Sequence, residues 1–233
     1  MGGGSQVQEF ERHPVSYTHL SGSEAVRGFV HPAAVAGATG SDSLILTHGA
    51  GANCQAPLLV ALADAFSASG LNVLRCDLPF RQERPHGPPI RTAERDQAGL
   101  RAAVEIMGRQ AGGTGRTFLG GHSYGGRQAS MLAAAEPGLV DGLLLLSYPL
   151  HPPKRPQQMR TQHFANLETP ALFVSGVRDG FGTIPEMEAA LRLIPARTEL
   201  LPIQAAGHEL LTKRNGEELV RLVVEEFREF TGI

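Results

Sequence analysis

A serine inside a glycine-rich pentapeptide is the clearest candidate for chemistry in this chain. Residues 121–125 read Gly-His-Ser-Tyr-Gly, and an apolar run at residues 117–120 precedes them. An apolar strand, a sharp G-x-S-x-G turn and a small-residue helix form a nucleophile elbow, which holds a serine hydroxyl clear of the backbone. The pattern therefore predicts Ser123 as a nucleophile. An ordinary glycine-rich turn between a strand and a helix is the alternative when the pentapeptide is taken alone.

A serine nucleophile needs a base, and His208 is suitably placed. A serine hydroxyl is weakly nucleophilic at neutral pH, and an imidazole with a pKa of about 6.5 can take its proton during attack. His208 follows a predicted strand at residues 199–203. It should therefore lie at the sheet edge where open α/β folds bind ligands. His208 is the candidate general acid and base.

The base in turn needs a carboxylate that fixes its tautomer and stabilises the imidazolium. Asp179 follows a predicted strand at residues 171–175 and precedes His208. This gives the chain order Ser, Asp, His that a nucleophile elbow requires. Ser123, Asp179 and His208 are thus the predicted catalytic triad.

Two other acids are weaker candidates. Asp141 precedes a predicted strand at residues 143–148, so we expect it at the opposite edge of a parallel sheet, as a solvated turn residue. Asp77 precedes the serine in the chain. It could line the pocket, but it does not fit the expected order.

The glycine-rich loop at residues 48–52 follows another apolar strand and predicts half of an oxyanion hole. Gly49 and Gly51 tolerate positive φ and let the backbone approach a ligand, so both are candidate substrate-binding residues. The backbone N–H groups of Tyr124 and Ala50 are the predicted oxyanion donors, because the residue after the nucleophile and one upstream loop residue supply them in this architecture.

Three arginines lie near these loops. Arg127 is four residues past the serine, and Arg81 and Arg178 follow predicted strands. Such groups could bind a substrate carboxylate through bidentate hydrogen bonds, which makes Arg127 a candidate substrate-binding residue. Ion pairs with nearby Asp or Glu are the favoured interpretation. The histidines show no paired ligand spacing, so we expect no metal and no cofactor.

Strands alternate with helices along the chain, which predicts a mostly parallel sheet covered by helices on both faces, an α/β fold. Helices are expected at residues 57–69, 92–110, 126–135 and 183–194 and from 215 onward, the last two opened by capping-box patterns. Residues 1–24 are predicted to be a flexible leader that could include an edge strand at 15–19, and residues 25–233 a single domain. The excursion at residues 149–168 is too short for a large cap and adequate for a small lid.

The composition of the chain limits the classes of binding partner that we expect. The net charge is −2, with 21 basic and 23 acidic residues, so no overall field favours nucleic acid or an anionic membrane. A small-molecule acyl substrate fits better. Cys54 and Cys76 do not make a disulfide framework and suit buried free thiols in a reducing cytoplasm. No apolar run approaches the roughly 18 residues of a membrane span.

With these motifs in place, residues 25–230 resemble the α/β-hydrolase superfamily. Residues 46–52, 121–127 and 177–179 are more narrowly similar to the small, capless, dienelactone-hydrolase-like group. That group includes the vertebrate testis-expressed and KAT8-complex-related hydrolase-like proteins. The resemblance implies an α/β-hydrolase fold with no large cap domain. Dienelactone hydrolases use a cysteine nucleophile where this chain has Ser123, so their substrate is not carried over.

Two classes of function follow. The first is a serine esterase or related hydrolase that cleaves a small carboxylic ester, thioester or related acyl compound. The second is a catalytically idle α/β-hydrolase fold that acts as a binding or scaffolding module, as the resemblance admits. The complete, correctly ordered triad favours the enzyme.

Overall fold

An eight-stranded sheet is the frame of the computed structural model, which describes residues 13–17, 26–34, 42–110 and 115–233. Its strands are β1 (His13–Tyr17), β2 (Val26–His31), β3 (Ser43–Thr47), β4 (Asn72–Asp77), β5 (Thr117–His122), β6 (Gly142–Leu146), β7 (Ala171–Gly176) and β8 (Thr198–Ile203). They lie in the order β1-β2-β4-β3-β5-β6-β7-β8. Strand β2 pairs antiparallel with β1 and β4, and every other pairing is parallel. The predicted mostly parallel sheet is confirmed.

Helices cover both faces of this sheet. They are α1 (Pro57–Ala68), α2 (Pro79–Glu83), α3 (Ala93–Gln110), α4 (Tyr124–Ala135), α5 (Ile184–Leu191) and α6 (Gly216–Thr231). Helices α1 and α6 pack on one face, and α2 to α5 contribute to the core on the other. Strands β3, β5, β6 and β7 are buried along their whole length. Their continuous apolar runs follow from this covering of both faces.

The described residues contain no large cap. The excursion at residues 149–168 has one short 3₁₀ turn, Phe164–Asn166, and otherwise runs irregularly. Leu150, Phe164 and Leu167 are fully buried and join the core beside the sheet. The segment expected as a small lid is therefore anchored by its own apolar side chains. Within the same described ranges, no helix is both long and apolar enough to cross a bilayer.

Local predictions differ from the structure at three places. The edge strand β1 begins and ends two residues before the predicted span of 15–19. Helix α2 is not among the helices predicted from the sequence. The capping box of α5, between Thr183 and Glu186, is confirmed. The capping box expected at Asn215 is wrong. The side-chain oxygen of Asn215 accepts hydrogen bonds from Thr212 and does not cap α6.

Both cysteines are buried free thiols. Burial raises the pKa of the Cys54 thiol to about 12, and it also raises the pKa of the Cys76 thiol. Only the thiolate reacts readily, so these side chains behave as small core residues at neutral pH.

Candidate active site

Ser123 lies at the tip of a sharp turn between β5 and α4. Its backbone has φ 50° and ψ −113°, and its N–H donates a hydrogen bond to the Leu146 carbonyl at 2.8 Å. Positive φ is rare for a residue with a side chain and marks local strain, which is what the nucleophile elbow stores. A Cβ on Gly125 would lie 2.6 Å from the His48 carbonyl oxygen. Glycine is required there so that the turn can pack against the loop after β3.

The three residues of the predicted triad meet at the carboxyl edge of the sheet. His208 Nε2 lies 2.8 Å from Ser123 Oγ, and His208 Nδ1 lies 2.8 Å from Asp179 Oδ2. Because the carboxylate accepts at Nδ1, that nitrogen carries the proton, and Nε2 is left to accept from the serine hydroxyl. Asp179 is almost fully buried, and its other oxygen accepts the Phe181 N–H at 2.8 Å.

Two further side chains position His208, one through its imidazole and one through its backbone carbonyl. Phe181 stacks on it with ring centroids 4.1 Å apart. His122 Nε2 donates to the His208 carbonyl at 2.9 Å. Burial lowers the pKa of His122, which keeps this second imidazole neutral. Neither residue was predicted from the sequence. The His122 position inside the pentapeptide was a signal for it, whereas nothing marked Phe181.

The loop predicted to form half of the oxyanion hole lies against the nucleophile. A Cβ on Gly49 would be 3.0 Å from His122 Nδ1 and 3.5 Å from Ser123 Cβ. Neither Gly49 nor Gly51 uses the positive φ that glycine tolerates. Gly49 is needed for this close approach, and a Cβ on Gly51 would meet open space.

His48 fixes the start of that loop. The Leu78 N–H donates to its Nε2 at 3.1 Å, so the proton is on Nδ1, which donates to the Gly49 carbonyl at 2.8 Å. Burial lowers the pKa of His48 and favours this neutral form. The imidazole therefore ties the loop after β3 to the loop after β4.

Asp96 supports the other expected oxyanion donor, Tyr124. This carboxylate is fully buried at the start of α3 and accepts from the Tyr124 hydroxyl at 2.7 Å. It also accepts from the Thr92 hydroxyl and the Phe80 N–H. The backbone N–H groups of Tyr124 and Ala50 have no hydrogen-bond partner among the described residues. They remain free to bind an oxyanion.

The three arginines have different surroundings. Arg81 is buried and donates to the backbone carbonyls of Ala50, Ala52, Arg84 and Gly87 at 2.7–3.1 Å. The arginine thus holds the oxyanion loop in place. Arg178 is exposed at the surface.

Arg127 lies one helical turn past the nucleophile and is partly buried. No Asp or Glu within the described ranges lies within ion-pair distance of Arg127, Arg81 or Arg178. The favoured interpretation of these arginines as ion-pair partners is therefore wrong.

The two alternative acids lie away from the base. Asp141 accepts the Thr117 N–H at 2.7 Å, at the beginning of β5 and so at the opposite edge of the sheet, as expected. Asp77 accepts from the Cys54 N–H and from Arg27. It lines a cavity of about 510 Å³ beside β2, together with Arg27, Cys54, Arg81 and His86.

A smaller cavity borders the elbow. It has a volume of about 240 Å³ and is lined mainly by apolar side chains from the start of α1, with Gly49, His122, Glu209 and Leu211. Within the part of the chain that the structure describes, no group of three His, Cys, Asp or Glu side chains could hold a metal ion.

Comparisons with known proteins agree with this architecture. A family model described as "Alpha/beta hydrolase domain" matches residues 40–231. A dienelactone hydrolase from Anabaena variabilis is 19% identical, with a TM-score of 0.72 over 94% of this chain and 97% of that chain. Est1E from Butyrivibrio proteoclasticus is 16% identical, with a TM-score of 0.73 over 94% and 99%.

A third similar structure is XC6422 from Xanthomonas campestris, described as an α/β serine hydrolase without a lid. It is 17% identical, with a TM-score of 0.71 over 94% of this chain and 95% of that chain. At these identities the three structures share the fold of this chain. The predicted resemblance to capless, dienelactone-hydrolase-like proteins is confirmed, and the narrower testis-expressed and KAT8-complex-related group stays a prediction. The family model spans most of the sequence, and this chain therefore belongs to the α/β-hydrolase family.

Proposed function

We propose that this protein is a serine hydrolase that cleaves a small carboxylic ester, thioester or related acyl compound through an acyl-enzyme. The observation that carries the proposal is the continuous hydrogen-bonded chain from Ser123 Oγ through His208 to Asp179, with 2.8 Å at each step. These contacts are already within catalytic hydrogen-bond distance. A scaffold without catalytic activity has no need of a strained serine aligned with a histidine and a buried aspartate.

In the proposed mechanism Ser123 Oγ attacks the acyl carbon while His208 Nε2 takes the hydroxyl proton. Asp179 stabilises the imidazolium, and the N–H groups of Ala50 and Tyr124 bind the tetrahedral oxyanion. His208 then protonates the leaving alcohol or thiol as its bond to carbon breaks. A water molecule, deprotonated by the same imidazole, then attacks the acyl carbon, and His208 returns this proton to Ser123 Oγ as the bond between that oxygen and the acyl carbon breaks and the acid leaves.

The lack of a large cap among the described residues supports a small substrate. The anchored excursion at residues 149–168 adds no large cap that would enclose a long lipid chain. Short acyl groups are therefore the first substrates to screen.

Covalent labelling tests this proposal directly. We expect a fluorophosphonate probe to add once to the wild-type protein, with the adduct mapped to Ser123 by peptide mass spectrometry. The adduct should be absent in Ser123→Ala and strongly reduced in His208→Ala. Absence of an adduct on folded, monodisperse wild-type protein would refute the enzyme proposal and favour the binding module.

A further inference from the structure

Two arginines lie in segments that are hydrogen-bonded to the turn at Ser123 or to the chain just after β6. The Arg127 N–H donates to the Ser123 carbonyl at 3.0 Å, one turn into α4. Arg160 lies in the excursion that follows β6, and its carbonyl accepts the Tyr148 hydroxyl at 2.6 Å. Tyr148 is two residues beyond Leu146, the residue that accepts the Ser123 N–H. Both arginines therefore belong to segments tied to the nucleophile.

The two arginines are also on segments that contact each other, because Ser130 Oγ donates to the Arg127 carbonyl at 3.0 Å and lies 2.8 Å from Nε2 of His163, three residues after Arg160. The Arg127 charge, together with burial, lowers the pKa of Arg160. Burial first and the same Arg127 charge second lower the pKa of His163 to about 4. His163 is therefore neutral at physiological pH and adds no third charge. The Tyr148 hydroxyl lies beside both arginines and is also uncharged.

This positive pair lacks an anion. No carboxylate of the described residues forms an ion pair with Arg127 or Arg160, and Arg127 Nε is buried without any hydrogen-bond partner. Arg160 Nη1 makes one long hydrogen bond, to the Pro149 carbonyl at 3.3 Å. Other arginines of the fold do have carboxylate partners, namely Arg27 with Asp77, Arg101 with Glu136 and Arg116 with Asp42.

Arg127 and Arg160 are partly buried, and a buried donor such as Arg127 Nε that has no acceptor is unfavourable, so the missing acceptor calls for an explanation. We propose that Arg127 and Arg160 bind a carboxylate carried by the substrate and so select anionic acyl compounds. A carboxylate would give the guanidinium groups the planar acceptor and the opposite charge that they lack. This inference rests on the proposed hydrolase function and names its substrate class.

Matched pairs of esters test the inference on the intact protein. The first pair is the para-nitrophenyl monoester of adipic acid and para-nitrophenyl hexanoate, which differ in a carboxylate on the acyl side. The second pair is the hexanoyl ester of para-hydroxybenzoate and that of its methyl ester, which differ on the leaving-group side. Rates measured with Ser123→Ala give the background to subtract.

We expect wild-type kcat/KM to favour the carboxylate ester of one pair, and the preferred pair shows which side of the substrate the arginines bind. In Arg127→Gln and in Arg160→Gln, the ratio of kcat/KM between the carboxylate ester and its neutral match should fall about 10- to 100-fold. Loss of a hydrogen bond to a charged group typically changes a binding constant by that factor. This ratio does not depend on how much of a variant folds. Arg127→Lys, which keeps the charge without the planar fork, should give an intermediate ratio.

Arg155→Gln is the matched control, because Arg155 is exposed in the same excursion and should leave the ratio unchanged. A ratio near one for both pairs in the wild type, or an unchanged ratio in Arg127→Gln and Arg160→Gln, would overturn the inference while leaving the hydrolase intact. Failure of the hydrolase proposal looks different: no ester is turned over and Ser123 takes no fluorophosphonate.

Discussion

Arg81 and Arg127 are the same residue type, yet their surroundings indicate opposite tasks. Arg81 donates to backbone carbonyls of the oxyanion loop at Ala50 and Ala52, and every acceptor belongs to the chain itself. Arg127 has an unsatisfied Nε and no carboxylate partner among the described residues. Arg81 therefore positions the backbone, whereas Arg127 is left available to a ligand.

Replacing Arg81 should damage the oxyanion loop. In Arg81→Met four backbone carbonyls lose a donor and a buried side chain is replaced, and we expect the free energy of unfolding to fall by about 2–4 kcal/mol. Displacement of the Ala50 N–H should lower kcat about tenfold or more, for neutral and anionic esters alike. Steady-state kinetics and urea unfolding measure both effects.

Arg84→Met is the control for this change, because Arg84 is exposed and its side chain makes one long hydrogen bond, to the Pro88 carbonyl at 3.3 Å. It should behave like the wild type. If Arg81→Met kept the wild-type kcat, the oxyanion loop would not depend on this arginine.

At the scale of elements, the elbow and the loop after β3 pack closely because the glycine between them has no side chain. Gly125 lies at the start of α4, and a Cβ there would be 2.6 Å from both the His48 carbonyl oxygen and Thr47 Cγ2. The backbone must shift to accept even one methyl group. The junction between strand, loop and helix is thus specified by glycine.

Gly125→Ala should therefore lower the free energy of unfolding by about 1–3 kcal/mol, as overpacking in a tight interior does. Gly51→Ala is the matched change in the same region, since its Cβ would meet nothing within 4 Å and its φ is not positive. We expect it to change the stability by no more than about 0.5 kcal/mol. Equal destabilisation of the two variants, measured by urea unfolding, would contradict this account.

The elements themselves could mostly be predicted, because β3, β5, β6 and β7 are continuous apolar runs between glycine-rich turns. Helix α2 could not, since five residues carry no helical periodicity. Helix α2 is stabilised by Asp96, a residue outside the helix, which accepts a hydrogen bond from the Phe80 N–H. The side-chain cap expected at Asn215 does not form, because the same side chain can bond either to the helix or to the preceding loop, and the sequence does not decide between them.

The candidate site, like the fold, could be predicted from the sequence only in part. The order of Ser123, Asp179 and His208 is imposed by the elbow and the parallel sheet, so it could be predicted from spacing. The partners of Arg81 could not, because backbone carbonyls have no side-chain signature in a sequence. Phe181 stacks on His208 only because Asp179 turns the chain back toward it.

At the scale of the whole molecule, buried imidazoles link stability to pH. Burial lowers the pKa of His48 and of His122, and it lowers that of His163 to about 4. Between about pH 6.5 and about pH 4 the unfolded chain therefore binds more protons than the folded one, and the free energy of unfolding falls as the pH falls. The stability from these groups is fully present only above about pH 6.5.

His163 alone should account for a loss of about 2 kcal/mol between about pH 7 and about pH 5. We expect His163→Gln to flatten the pH dependence of urea unfolding by that amount. His86→Gln, at an exposed position, should leave it unchanged. An undiminished dependence in His163→Gln would show that this imidazole does not stay neutral in the fold.

The buried thiols have a practical consequence for following this molecule in solution. Cys54 and Cys76 are the chain's two cysteines, and both have raised pKa values inside the core. Maleimide dyes react with thiolates, so they should not label either cysteine in the native protein. One cysteine introduced on the surface, as in Arg155→Cys, would then carry a fluorophore at a single known position. The fluorescence of this dye would then report on the excursion at residues 149–168 during substrate binding, without first replacing Cys54 or Cys76.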